Sequence, residues 1–446
     1  MERRQLRSVV TPDVAISQAR ANGRAGWSAL RWALWLAVAL GGLALVASLL
    51  RPLLFPVFSF PHPSGRHEIG TLTYYWVDDS RANIFSADPN ARRELMVQVW
   101  YPAKGDPSSP RAPYMQDAGA VTAAFARIHH KPEFIFASFK HVTTNAVPSA
   151  PVADHDPTYP VLIFIEGATG FRQMNTFQVE ELVSHGYIVV ALDQPGAAAD
   201  VVFPDGQEQP GLPLEQLVGL IRPSYMPSEY VPLLNGRALA GGSIIAYLAQ
   251  DAVFALNQLA PLNQADPNHI LTGRLDLRHV GAFGVSLGGM VVAQACRLEP
   301  RLGACLMMDA PVPADVVHAG LKRPSMWITR DADSMRLERR RSGGWSEAEI
   351  EAHLASMRTA FEGVAAAGYL VQVPGTFHSN FMDIPYWSSL SSRLGITGPI
   401  DRQRAFNIIN AYSLAFFDRH LKSGSTASLD GLAGPYPEVI VESRRP

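Results

Sequence analysis

Residues 284–289 read Gly-Val-Ser-Leu-Gly-Gly, with the apolar run HVGAF ahead of them and MVVAQACRL behind. A chain that ends a strand at Val285 and starts a helix near Leu287 must reverse within one residue, Ser286. That reversal strains the backbone of Ser286 and leaves no room for side chains at Gly284 and Gly288. A turn of this kind is a nucleophile elbow. It lifts the serine hydroxyl above the edge of a sheet and places the Leu287 N–H at a helix N-terminus, where negative charge is favoured. The alternative is a glycine-rich turn with an incidental serine. The apolar strand in front and the apolar-periodic helix behind argue against it.

An elbow demands a sheet whose strands are followed by helices, and the rest of the chain supplies one. Strands are predicted over 95–101, 160–166, 187–193, 279–285, 304–309, 325–330 and 369–374. Several are apolar throughout, the pattern of parallel strands covered on both faces. Helices are predicted over 173–185, ending at Gly186, over 237–260 and over 402–421. Ser346 and Glu349 form a capping box ahead of another helix, which is predicted to stop at Gly368. Strands and helices in alternation mean an α/β fold with a mostly parallel sheet and helices on both faces. Segments 110–158 and 203–236 break the alternation. Both read as insertions able to cover the C-terminal edge of the sheet. The expected organisation is a basic N-terminus (1–31), an anchor (32–50), a connector (51–64), one catalytic domain (65–425) and a tail (426–446).

The anchor rests on WALWLAVALGGLALVASLL, nineteen uncharged residues between Arg31 and Arg51. At about 1.5 Å per residue this nearly crosses a hydrocarbon core of about 30 Å. Arg3, Arg4, Arg7, Arg20, Arg24 and Arg31 precede it, against Glu2 and Asp13. That bias predicts a single-pass membrane protein with a cytoplasmic N-terminus and an extracytoplasmic remainder. Secretion after signal cleavage is the alternative. Formal net charge is −2, and no basic stripe lies outside the N-terminus, so a nucleic-acid partner is not expected. The two cysteines, Cys296 and Cys305, form no CxxC pair and no Cys/His cluster, so neither a metal nor a cofactor is expected. They are read as buried thiols, with pairing in an oxidising compartment as the alternative.

A serine hydroxyl needs a base to become a nucleophile. His378 in VPGTFHSNF follows the predicted strand 369–374 and a turn glycine, Gly375; His420, near a helix end, is expected at the surface. The orienting acid stays open among Asp309 in LMMDAPV, Asp331 and Asp333 in WITRDAD. All three follow a strand, and spacing does not choose. A second oxyanion donor is expected from the loop FIEGATGFR (164–172), at the Ala168 N–H, with the Leu287 N–H as the first. Glu166 beside that loop is anomalous, because a carboxylate opposes an oxyanion. It is expected to point away and pair with Arg172. His129 and His130 are adjacent and not expected to hold a metal. Trp327 and Trp345 are read as packing residues, and Arg339, Arg340 and Arg341 as a solvated face.

With GVSLGG, LMMDAPV, GTFHSNF, FIEGATGFR and VQVWYPAKG together, residues 65–421 resemble the platelet-activating-factor acetylhydrolases of the isoform II type, a family of α/β-hydrolases. The phrase SHGYIV (184–189) adds to the likeness. In that family the acid follows the strand directly after the nucleophile helix, so the resemblance implies Asp309. It also implies hydrolysis of short-acyl or phospholipid-like esters. The chain departs from the family pattern at Glu166 and Val285, where histidines are usual. It also carries a longer segment between Asp309 and His378, containing RLERRRSGGWSEAEIEAH. The expected activity is thus carboxylic ester hydrolysis through an acyl-enzyme, with Ser286, His378 and Asp309 as the triad and Ala168 and Leu287 as oxyanion donors. The alternatives are a general carboxylesterase or polyester hydrolase with the same triad, and a catalytically inactive, membrane-tethered binding protein on a hydrolase scaffold.

Overall fold

The computed structural model describes residues 31–43, 45, 46, 48, 54–106, 108–226, 233–239, 243–425 and 429–445. The chain divides into two compact units, Met1–Pro56 and Val57–Pro446. In the first, residues 31–43 are helical and the side chains of Trp32, Trp35 and Leu36 are exposed. Among the described residues no helix is long and apolar enough to cross a membrane. The expected anchor over 32–50 includes residues 44, 47, 49 and 50, which lie outside the described residues, as does the basic segment 1–30.

The second unit is built on one sheet of ten strands. In chain order these are β1 (Glu68–Ala82), β2 (Arg92–Ala103), β3 (Val147–Pro148), β4 (Tyr159–Ile165), β5 (Ile188–Asp193), β6 (Leu275–Val285), β7 (Leu302–Met308), β8 (Ser325–Thr329), β9 (Gly368–Gln372) and β10 (Ile440–Arg444). Their order across the sheet is β10-β9-β8-β7-β6-β4-β5-β2-β1-β3. The run from β5 to β9 is parallel throughout. Antiparallel β2 and β10 flank it. This is an α/β-hydrolase arrangement. The seven predicted strands are all present. β1, β3 and β10 were not anticipated; β3 lies within the segment 110–158 and β10 within the segment read as a tail.

The central strands are apolar on both sides because both sides are covered, and the cores alternate with the pleat. Val161, Ile163 and Ile165 of β4 enter one cluster; Leu162 and Phe164 enter the other. Helices α1 (Ala118–Ile128) and α2 (Thr176–Ser184) belong to the face that Leu162 and Phe164 fill, with α8 (Arg402–Leu421). Helices α3 (Leu214–Ile221), α4 (Ile244–Gln264) and α5 (Leu287–Leu298) cover the opposite face. Helices α6 (Ala332–Ser342) and α7 (Glu347–Glu362) lie in the connection between β8 and β9. The capping box of α7 forms as expected, with Ser346 and Glu349 each accepting from the other's backbone N–H. The helix ends at Glu362, however, and Gly368 opens β9 rather than closing the helix.

Cys296 of α5 and Cys305 of β7 are joined by a disulfide, which corrects the expectation of two free thiols. Direct packing of α5 on β7 brings their Cα atoms to 6.6 Å, within bridging distance. His420 is not a free surface residue either. It packs on Phe416 and Tyr369, and its ring nitrogen lies 3.2 Å from the Tyr369 hydroxyl.

Candidate active site

Parallel strands finish at one edge of a sheet, and that edge collects the predicted residues. Val285 is in register with Met308, and Gly284 with Ile165. Ser286, Asp309 and the 166–170 loop therefore leave adjacent strands side by side. Ser286 has φ 57° and ψ −122° and occupies the N-cap position of α5. Its backbone N–H donates to Met308 O at 2.9 Å. The glycines are needed for steric reasons. A Cβ at Gly288 would stand 2.1 Å from Ile165 O, and one at Gly284 would stand 2.4 Å from Gly288 O. No alternative rotamer relieves a clash with backbone.

His378 follows β9 through the turn at Gly375, which has φ +80°. Its Nε2 lies 3.1 Å from Ser286 Oγ, and its Nδ1 lies 2.5 Å from Asp309 Oδ2. With Nδ1 protonated toward the carboxylate, Nε2 is free to accept from the serine hydroxyl. Of the three candidate acids the structure brings Asp309 to the imidazole. Asp331 instead caps α6 by accepting from the Ser334 N–H at 2.7 Å. Asp333 is 96% exposed and pairs with Arg336.

Asp309 is fully enclosed, and its oxygens are occupied. The Thr329 hydroxyl donates to Oδ1 at 3.0 Å, and Arg330 Nε lies 3.0 Å from Oδ1 and 2.9 Å from Oδ2. Burial alone would raise the pKa of this carboxyl, but Arg330 and His378 hold it well below the usual carboxylate range. Arg330 continues to Glu338, which also accepts the His378 backbone N–H at 3.3 Å. The Arg330 guanidinium lies 4.9 Å from the ring centroid of Trp345. His353 sits behind Thr329, with Nε2 3.3 Å from its hydroxyl. Burial pushes the His353 pKa down to about 3, so its imidazole is neutral. Thr329, Arg330, Glu338, Trp345 and His353 were not anticipated as neighbours of the site. The one available signal was the extra length between Asp309 and His378.

The loop after β4 lies against the elbow. A Cβ at Gly167 would come 3.3 Å from the Ser286 Cβ. Thr169 adopts φ +58° and donates its N–H to Ala197 O at 2.7 Å, and Gly170 N–H returns to Gly167 O at 2.9 Å. Those bonds tie the loop down while the N–H groups of Ala168 and Leu287 donate to no acceptor among the described residues. His129 approaches the same loop from α1's end, its Nε2 3.2 Å from Thr169 Oγ1. Glu166 does turn away, but not to Arg172. Arg172 pairs with Asp193, and Glu166 Oε1 accepts from the Gln194 N–H at 2.8 Å. Burial, reinforced by Asp193, pushes the Glu166 pKa well above the carboxylate range. Burial thus favours the neutral form of Glu166, which lessens its opposition to an oxyanion.

Residues 55–210 match the family described as platelet-activating factor acetylhydrolase, isoform II. Over that stretch, about a third of its length, the chain is similar to that family. The matched stretch holds the 166–170 loop, while Ser286, Asp309 and His378 lie beyond it. Platelet-activating factor acetylhydrolase of Gallus gallus is 20% identical, with 59% of this chain and 62% of that protein covered. The protein of the same name from Cavia porcellus is 25% identical, covering 59% of this chain and 58% of that one. The chain thus spans about three fifths of the length of these relatives. A probable 1-alkyl-2-acetylglycerophosphocholine esterase of Arthroderma benhamiae is 24% identical, over 89% of this chain and 97% of that one. Among solved structures, a ferulic acid esterase from Streptomyces cinnamoneus superposes with a TM-score of 0.63 at 25% identity, covering 86% of this chain and 99% of the other.

Proposed function

We propose that the chain is a serine ester hydrolase acting through an acyl-enzyme, with Ser286 as nucleophile, His378 as base and Asp309 as orienting acid. The observation that carries this is the Ser286 Oγ–His378 Nε2 separation of 3.1 Å on a histidine already bonded to Asp309. Ser286 Oγ attacks the ester carbonyl carbon as His378 Nε2 takes its proton. The carbonyl oxygen becomes an oxyanion held by the Ala168 and Leu287 N–H groups. The intermediate then expels the alcohol, to which His378 returns the proton, and leaves an acyl-serine. Water repeats the sequence: its proton passes to His378, and the acid departs as Ser286 regains its hydrogen. Each oxyanion donor lowers the barrier by about 2.7–4 kcal/mol.

For the substrate we propose short-acyl or phospholipid-like esters, on the printed names of the relatives. The superposition on a ferulic acid esterase favours a second reading, a general carboxylesterase with the same triad. Hydrolysis of p-nitrophenyl esters and of an acetylated ether phospholipid, compared across acyl length, separates the two. Covalent labelling by a fluorophosphonate probe tests the mechanism. Labelling is expected in the parent protein and absent in Ser286→Ala; ester turnover retained in that variant would overturn the assignment and revive the inactive-scaffold reading.

We also propose that residues 32–50 tether the chain to a membrane, with the N-terminus cytoplasmic and the hydrolase unit on the other side. The support is the uncharged stretch and the arginines ahead of it.

A further inference from the structure

The segment between β8 and β9 surrounds the back of the site with charges that the reaction scheme leaves unused. Arg330 Nε straddles both oxygens of Asp309 at 2.9–3.0 Å. Its Nη1 pairs with Glu338 of α6, and both Arg330 and Asp309 are buried, with side-chain exposures of 4% and 0%. Glu338 accepts the backbone N–H of His378 through either oxygen at 3.3 Å. Trp345, in the α6–α7 connection, covers the guanidinium and lies 6.3 Å from the His378 ring, centroid to centroid. From α7, His353 bonds Thr329 and is neutral. The charged groups facing the imidazole are therefore Asp309, Arg330 and Glu338, with net charge −1 when the imidazole is neutral.

Resting on the hydrolase reading above, we propose that Arg330 and Glu338 are positioning residues that set the pH range in which His378 works as a base. Asp309 stabilises an imidazolium; Arg330, beside the same carboxylate, opposes it; Glu338 moderates Arg330. The effects are large because the groups are enclosed. A unit charge several ångströms away at an effective dielectric of about 20 moves a titration by on the order of one pH unit. Arg330 also restrains the carboxylate that faces His378, since the carboxylate cannot rotate without breaking its contacts with Arg330 Nε.

The two variants carry opposite signs, which a merely structural role does not produce. Arg330→Met leaves charge −2 beside the imidazole, so the acid limb of the pH–rate profile moves to higher pH. Glu338→Gln leaves no net charge, so the limb moves to lower pH. The shift expected in each is on the order of one pH unit. Arg330→Lys keeps the charge but not the fork, so it restores the parent limb with a lower rate. The measurement is the second-order rate of fluorophosphonate labelling across pH 4–9, on the full chain, with circular dichroism to show each variant folded. Losing Arg330 breaks a buried pair, and if Arg330→Met does not fold, Glu338→Gln and Arg330→Lys carry the test. Limbs that stay in place, or move the same way, overturn the proposal. A parent chain that never labels instead sinks the hydrolase reading.

Discussion

Ser286 is held at φ 57° by backbone packed on backbone, and this makes sharp single-residue tests possible. Gly288→Ala puts a methyl group into Ile165 O, so unfolding free energy should fall by more than about 2 kcal/mol in a denaturant titration. Gly219→Ala, where a Cβ meets nothing within 4 Å inside α3, should instead gain about 0.5–1 kcal/mol. Equal effects at the two positions would refute the steric account. For the acid, Asp309→Asn should cut turnover by about 10⁴-fold through loss of the correct tautomer. Asp333→Asn should change it by less than about twofold, because that side chain is 96% exposed. The reverse ranking in p-nitrophenyl ester kinetics would move the acid elsewhere. The placement of Ser286 and His378 was legible because a strand–turn–helix signature and a post-strand histidine are local patterns. Which aspartate would join them was not, because Asp309, Asp331 and Asp333 all follow strands. Only register, Val285 beside Met308, says which one meets the imidazole.

Elements were legible where one physical cause dominated. β4, β5 and β7 are buried on both faces and read as unbroken apolar runs; α7 announced itself by its cap. β1 escaped because its pattern is mixed: Tyr75 and Val77 are exposed while Asp78 is buried, so no clean apolar alternation marks it. β10 escaped because an edge strand of Ile-Val-Glu-Ser-Arg carries little apolar signal. The disulfide was misjudged because nothing in the spacing of Cys296 and Cys305 says that α5 lies directly on β7. That bridge closes a short loop, so removing it in a Cys296→Ala/Cys305→Ala variant should cost about 2–3 kcal/mol on unfolding. An unchanged midpoint would show that strain offsets the constraint. On α7, His353 has its pKa depressed to about 3 from an ordinary 6.5, so below pH 6.5 the unfolded chain binds a proton that the folded chain refuses. Its contribution is therefore intact above pH 6.5 and is lost as pH falls, by up to about 1.4 kcal/mol per pH unit. His353→Gln should lose that slope in the pH dependence of unfolding; retention of the full slope would exclude His353 as its source.

At the scale of the whole molecule, the unit Val57–Pro446 contains every residue of the proposed chemistry. A chain starting at Val57 should stay in the supernatant after ultracentrifugation and label with the fluorophosphonate at the parent rate. The full chain should sediment with membranes until detergent is added. Full-length protein that remains in the supernatant without detergent would remove the tether. The fold class was legible from alternation alone, whereas the buried charge relay behind Asp309 required three separate elements to converge.

The contact between Gly288 and the Ile165 carbonyl has one more implication. The spacing between the Ala168 and Leu287 amides, the proposed oxyanion donors, is set where main chain meets main chain, with no side chain at Gly288 to adjust it. On the proposed mechanism, side chains elsewhere around Ser286 are then free to differ and alter which alcohol or acid fits, while the amide pair keeps its spacing.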